Sequence, residues 1–159
     1  MFTFNASTIR KMQTPISKNE SLIGAQYASR LLELINEAEK SIDIMMYEWR
    51  WYENDPGHPI QILNQALVRA VRRGVRVRAL TFRGTITAKL REIGIDAKAW
   101  KLSKLMHSKM IIFDSEVVVM GSHNFTGSAI QSNIETSVLF FDEEVAKIKT
   151  DYFQNLCRL

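Results

Sequence analysis

Residues 107–124 read His107-Ser108-Lys109-Met110-Ile111-Ile112-Phe113-Asp114-Ser115-Glu116-Val117-Val118-Val119-Met120-Gly121-Ser122-His123-Asn124. Two short apolar, β-branched runs flank the turn residues Asp114-Ser115, which predicts a strand, a tight turn and a returning strand. Alternate residues of a strand share a face, so His107 and Lys109 project together, above Ile111 and Phe113. An imidazole and an ammonium have little to do in an apolar core, so they belong at the mouth of the hairpin with the apolar residues as its anchor. The return strand brings Gly121 and Ser122 level with that mouth. Gly121 permits close backbone approach, and Ser122 and Asn124 add hydroxyl and amide donors beside the Lys109 ammonium. An ammonium with neutral donors makes an anion pocket suited to a phosphoryl group.

On the N-terminal side, helix and strand patterns alternate. Residues 1–5 read as a short edge strand and 6–20 as polar and turn-rich. Tyr27, Leu31, Leu34, Ile35 and Ala38 recur at helical spacing, predicting a helix over about 22–40. Residues 41–49 read as a strand that is apolar on both faces, then 50–59 as a loop. A helix over about 60–73 stops at Gly74, a common residue just past a helix end. Strands over 75–82 and 95–100 flank a short helix at 85–92. This alternation predicts βαβ units. On the C-terminal side, 121–133 is small and polar, 134–141 reads as a strand, and Asp142-Glu143-Glu144 opens a last helix, with acids at its positive end. The expected fold is α/β: one domain over 21–159 after an N-terminal edge segment 1–20, with a mixed, mostly parallel sheet flanked by helices on both faces.

The chain has 159 residues, 46% hydrophobic and 24% charged, which excludes a disordered tail, a collagen-like repeat or a disulfide scaffold. Cys157 is the single cysteine, so no intrachain disulfide forms. No apolar run is long enough to span a bilayer and residues 1–5 lack the pattern of a secretory signal, so the expectation is a cytoplasmic protein without a stable membrane anchor. The net charge of +4 hides an asymmetry. Residues 69–109 carry twelve cations against Glu92 and Asp96, a net +10, and the remainder is net −6. Such a region steers polyanions, which points to nucleic acid, DNA or RNA, as a partner.

As a pattern, 107–124 is H-x-K-x4-D-x6-G-S-x-N. It resembles the phospholipase D superfamily, whose motif is met at His107, Lys109, Asp114, Gly121, Ser122 and Asn124. The order of elements from about Leu31 onward is similar too, and Glu135 falls where family members carry an acid. The chain is most similar to the small bacterial endonucleases of the family that carry one motif per chain; neither His58 nor His123 begins a second H-x-K.

The resemblance implies a phosphodiesterase that needs no metal and no cofactor. One imidazole cannot stand on both sides of a phosphorus undergoing in-line displacement, so a single motif implies a homodimer with one composite site. His107 would attack and form a phosphohistidine, while the second copy's His107 protonates the leaving oxygen. Lys109, Ser122 and Asn124 would bind the phosphate, and Glu135 would accept a hydrogen bond from the imidazole. Asp114, the remaining motif residue among the catalytic candidates, reads as structural, because it lies at the turn. Two coupled histidines would give a bell-shaped pH profile. Arg83, Lys101 and Lys104 are the candidates for tracking nucleic-acid phosphates, and Trp51 and Tyr52 for stacking on bases. His58 reads as a helix-entry residue, and His123 as turned outward or packed locally. The alternatives are a phospholipid phosphodiesterase or phosphatidyl transferase, and a non-catalytic nucleic-acid-binding dimer.

Overall fold

The computed structural model describes residues 19–82 and 84–159. The predicted strand over 1–5 and Arg83 lie outside them. Among the described residues the order is β1 (Asn19–Ile23), α1 (Gln26–Glu37), β2 (Ser41–Met46), α2 (Pro59–Arg72), β3 (Arg76–Thr81), α3 (Gly84–Glu92), β4 (Asp96–Ala99), β5 (Lys109–Phe113), β6 (Val117–Gly121), α4 (Gly127–Gln131), β7 (Thr136–Phe141) and α5 (Glu143–Cys157). The strands form one sheet in the order β1-β7-β6-β5-β2-β3-β4.

The βαβ reading holds where it was made: β2 and β3 pair in parallel, as do β3 and β4. The expectation of a mostly parallel sheet does not hold. β5 runs antiparallel to β2, and the β5–β6, β6–β7 and β1–β7 pairs are antiparallel as well. For the β5–β6 pair the physical reason is connection length. Parallel neighbours need a long crossover, here supplied by α2 and α3, whereas the short turn after β5 forces the chain straight back.

The N-terminal boundary also differs. Residues 19–23 form an edge strand, so a division at residue 20 cuts through β1. Leu22 is buried, and Gly24, at φ 55°, turns the chain before α1 begins at Gln26. Gly74 sits at φ 92° just past α2, as its position suggested. Asp142 caps α5 by accepting from the N–H groups of Glu144 and Val145.

Two apolar cores follow from the alternation of strand side chains. Ile42, Ile44, Val77, Ile111, Val119 and Leu139 meet Leu31, Leu34, Ile35, Leu63 and Leu67 of α1 and α2. On the opposite face Met45, Leu80, Met110, Ile112 and Val118 pack against Ala146 and Phe153 of α5. That second core contains an ion pair. Arg78 donates to both oxygens of Asp43 at 2.7 Å, and its guanidinium lies 5.1 Å from the Phe153 ring. Asp43 is only 1% exposed, so the bidentate partner is what makes its burial tolerable.

The hairpin turn is tied to the end of the sheet farthest from His107. Asp114 and Ser115 take φ of 53° and 59°. The Asp114 carboxylate accepts from the backbone N–H groups of Glu39 (3.0 Å), Lys40 (2.7 Å) and Ser41 (2.7 Å). Burial alone would raise this carboxyl, but the three N–H groups outweigh it and hold it below the usual range. Asp114 thereby joins the β5–β6 turn to the start of β2.

Candidate active site

Lys109 opens β5 and Gly121 closes β6, and the Met110–Met120 pairing sets these two ends side by side. A Cβ on Gly121 would collide with the backbone and side chain of Ser137 and the carbonyl of Thr136. Glycine is therefore what lets β6 and β7 approach at this point. Lys109 is 8% exposed. Its Nζ lies 3.2 Å and 3.1 Å from the two ring nitrogens of His107 and donates to the His107 carbonyl at 2.9 Å. The same ammonium lies 5.1 Å from the centre of the Tyr47 ring, and the Tyr47 and His107 rings are 4.6 Å apart. Burial lowers the Lys109 pKa, with the charge of Glu135 opposing the shift.

Asn124 is oriented from behind. Its Oδ1 accepts from the Glu48 N–H at 3.1 Å, so the amide NH2 is the end left for a ligand. Ser122 is engaged with the start of β7: its hydroxyl accepts from Thr136 N–H at 3.0 Å and donates to the Thr136 carbonyl at 3.3 Å. Glu135 does not reach His107 as the sequence reading expected. Its hydrogen-bond partner is Asn133, whose side-chain amide donates at 2.9 Å, and Ser122, His123 and Lys109 are its other polar neighbours. Burial would raise the Glu135 carboxyl, but these polar neighbours, the Lys109 ammonium among them, bring it below its ordinary value. The structure thus gathers His107, Lys109, Ser122, Asn124 and Glu135 at one end of the sheet, and leaves Asp114 at the other.

Tyr47 was missed. It follows the buried run Ser41–Met46 and reads in sequence as one more apolar strand residue, so only the paths of β2 and β5 reveal it as the wall behind His107. His123 packs inward, stacked on Tyr27 with ring centres 4.1 Å apart and its Nδ1 2.9 Å from the Ser137 hydroxyl.

The stacking candidates are otherwise employed. The Tyr52 hydroxyl accepts from Gly127 N–H at 2.8 Å and its ring stacks on His58 at 3.7 Å, while Lys89 lies over the Trp51 ring. His58 is a helix-entry residue as expected, with Nδ1 accepting from Ile60 N–H. Among the described residues, no group of three or more His, Cys, Asp or Glu side chains is arranged to hold a metal ion. No helix there is long and apolar enough to cross a membrane.

The cations of 69–109 divide by position. Arg69, Arg72, Arg73 and Arg76 lie at the end of α2 and the start of β3, away from the site. Arg78 is paired with Asp43, and Lys89 with Glu53. Lys109 is inside the site. Lys101 and Lys104 are exposed on the β4–β5 loop that leads into His107.

Comparison with known proteins agrees with this geometry. Over 127 residues, 76% of this chain, the sequence is 33% identical to a phospholipase D of Rickettsia conorii, covering 58% of that protein. Over 139 residues, 84% of this chain, it is 30% identical to the mitochondrial cardiolipin hydrolase of Canis lupus familiaris, covering 51% of it. The chain thus spans somewhat over half the length of these curated relatives. The crystal structure of Nuc from Salmonella typhimurium, described as a phospholipase D family member, has the same fold, with a TM-score of 0.73 at 24% identity, over 88% of this chain and 95% of that one. Residues 31–157 match the family model described as cardiolipin synthase, PLD-like domain. With that match running from the middle of α1 to the end of α5 and enclosing the His107–Asn124 hairpin, the chain belongs to the phospholipase D superfamily.

Proposed function

We propose that this protein is a metal-independent phosphodiesterase that cleaves nucleic acid through a phosphohistidine on His107, at a site completed by a second copy of the chain. The observation that carries the chemistry is the buried Lys109 ammonium in contact with the His107 ring, beside the free amide of Asn124. A phosphodiester entering this end of the sheet offers oxygens to the Lys109 N–H groups and to the Asn124 NH2. A ring nitrogen of His107 bonds to phosphorus as the bond to the leaving oxygen breaks, and that oxygen takes a proton from His107 of the partner subunit. Water then attacks the phosphohistidine. The partner subunit's His107 removes the water proton, the P–N bond breaks and His107 is restored. Glu135 acts through Ser122 and the charge of Lys109 rather than on the imidazole directly.

The second copy fits the face beside the site. Met120 and Val138 pair across β6 and β7, and with Phe140 and Gly121 they line a half-exposed apolar trough of about 490 Å³ that also includes His107 and Lys109. A two-fold axis near this trough brings two copies of His107 together. The substrate assignment rests on charge, because Lys101, Lys104 and Lys109 converge on this end of the molecule. A phospholipid substrate is the second reading. It is favoured by the names of the curated relatives and by Leu102 and Leu105, 48% and 58% exposed on the loop before His107.

The test is cleavage of labelled single- and double-stranded DNA and RNA in excess EDTA. Cutting by the wild type, lost by at least about a thousandfold in His107→Ala, is the expected result. Release of headgroup from phospholipid vesicles with no cutting of any nucleic acid would select the second reading.

A further inference from the structure

Two cavities lie side by side between the β4–β5 loop and the last turns of α5. The inner one, about 640 Å³, opens on His107 and Ser108 and is floored by Met45 and Met106. The outer one, about 290 Å³, is bounded by Leu80 and Cys157. Trp100, Leu102, Leu156 and Leu159 line both, so the two form one groove leading away from the catalytic histidine. The loop wall is held in shape by Trp100, whose Nε1–H donates to the Lys104 carbonyl at 2.6 Å.

Among the described residues, the charged side chains along this groove are of one sign. Lys104 stands on the inner cavity, and Lys101, Lys98 and Arg91 on the outer; among the described residues no Asp or Glu side chain lines either. These are four of the cations of the basic stretch 69–109, brought together here although Arg91 and Lys104 are separated by α3's end, β4 and a loop.

Resting on the phosphodiesterase reading above, we infer that this groove binds the single strand of nucleic acid flanking the scissile phosphate. Aromatic and aliphatic walls accept base faces, and cations repeated along the path meet successive phosphates. The repetition is what favours a strand over a lipid. A phospholipid carries its charge at one headgroup, which Lys109 already serves, and its chains gain nothing from Lys98 and Arg91 at the distal end. A nucleic-acid strand carries a charge at every nucleotide.

The experiment uses full-length His107→Ala protein, which binds without turnover, and a fluorescent twelve-nucleotide single strand titrated at several salt concentrations. Replacing two lysines, Lys98→Ala with Lys101→Ala, weakens binding about tenfold and reduces the slope of log K against log salt by roughly 1.4. The pair Arg72→Ala with Arg76→Ala removes the same charge at the far end of the molecule and leaves the slope unchanged. Lys101→Ala with Lys104→Ala, both exposed, repeats the test should loss of the Lys98 bond to the Cys157 carbonyl lower the melting temperature.

Equal losses in the near and far pairs overturn the groove, because binding then follows net charge. A wild type that cuts nucleic acid while the groove variants bind normally overturns the groove alone. Failure of the wild type to bind or cut any strand overturns the functional reading with it. Selective loss of binding to phosphatidylglycerol vesicles in the groove variants, with no strand binding, assigns the groove to lipid.

Discussion

His123 occupies the variable position of the G-S-x-N segment, yet it is fully buried. Its ring lies against Tyr27 from α1, its Nδ1 meets Ser137 of β7, and its Nε2 is buried without a hydrogen-bond partner. Burial lowers its pKa, and the charge of Glu135 opposes the shift only in part. The folded state therefore resists protonation. A group with a depressed folded pKa contributes stability above its unfolded value, near 6.5, which is lost as pH falls toward the folded value. The unfolding free energy of the wild type is expected to fall between pH 7.5 and 5, by at most about 1.4 kcal/mol per pH unit from this residue, and the melting temperature with it. His123→Phe should flatten that dependence while keeping the ring stack on Tyr27. An unchanged slope would assign the acid sensitivity elsewhere.

Between elements, the Asp114 carboxylate gathers three N–H groups from the α1–β2 junction onto the β5–β6 turn. Removing it leaves those donors unmatched. Asp114→Ala is expected to cost about 2–3 kcal/mol in urea unfolding, the scale for hydrogen bonds to a charged group at a partly exposed position. Asp114→Asn, which keeps one acceptor oxygen, should cost less. The contribution is present above about pH 3.8 and disappears as pH falls through the lower folded value, so the gap between wild type and Asp114→Ala closes in acid. Activity should fall only with the unfolded fraction, because this carboxylate is at the opposite end of the sheet from His107. A loss of turnover in fully folded Asp114→Asn would return Asp114 to the chemistry.

For the whole molecule, the central question is the second copy. The β6–β7 trough beside Lys109 should bury roughly 800 Å² per partner in a stable dimer. Sedimentation is expected to give a dimer for the wild type and a monomer for Val138→Glu. The variant should keep its circular dichroism and lose hydrolysis, because one His107 cannot serve both sides of the phosphorus. A monomeric wild type that hydrolyses at full rate would remove the composite site.

Short-range pattern was enough for much of this protein. The hairpin at 107–121, the helix stop at Gly74, the acidic opening of the last helix at Asp142 and the βαβ half of the sheet were legible because neighbours in sequence cause them. His107 and Lys109 were legible as neighbours from their spacing of two, although β5 begins only at Lys109 and His107 is brought to its ammonium by the loop before it. What depended on the fold was decided by contacts between distant segments. Residues 19–23 are a strand only because β7 offers an edge. The sheet is mostly antiparallel because β5 enters beside β2 with its direction reversed. Glu135 turns to Ser122 and Asn133 rather than to the imidazole, and Tyr47 stands behind His107, through the packing of β2, β5 and β7. The +10 of residues 69–109 divides between two ends of the molecule, since sequence sums charge along the chain while a ligand meets it only where folding places it.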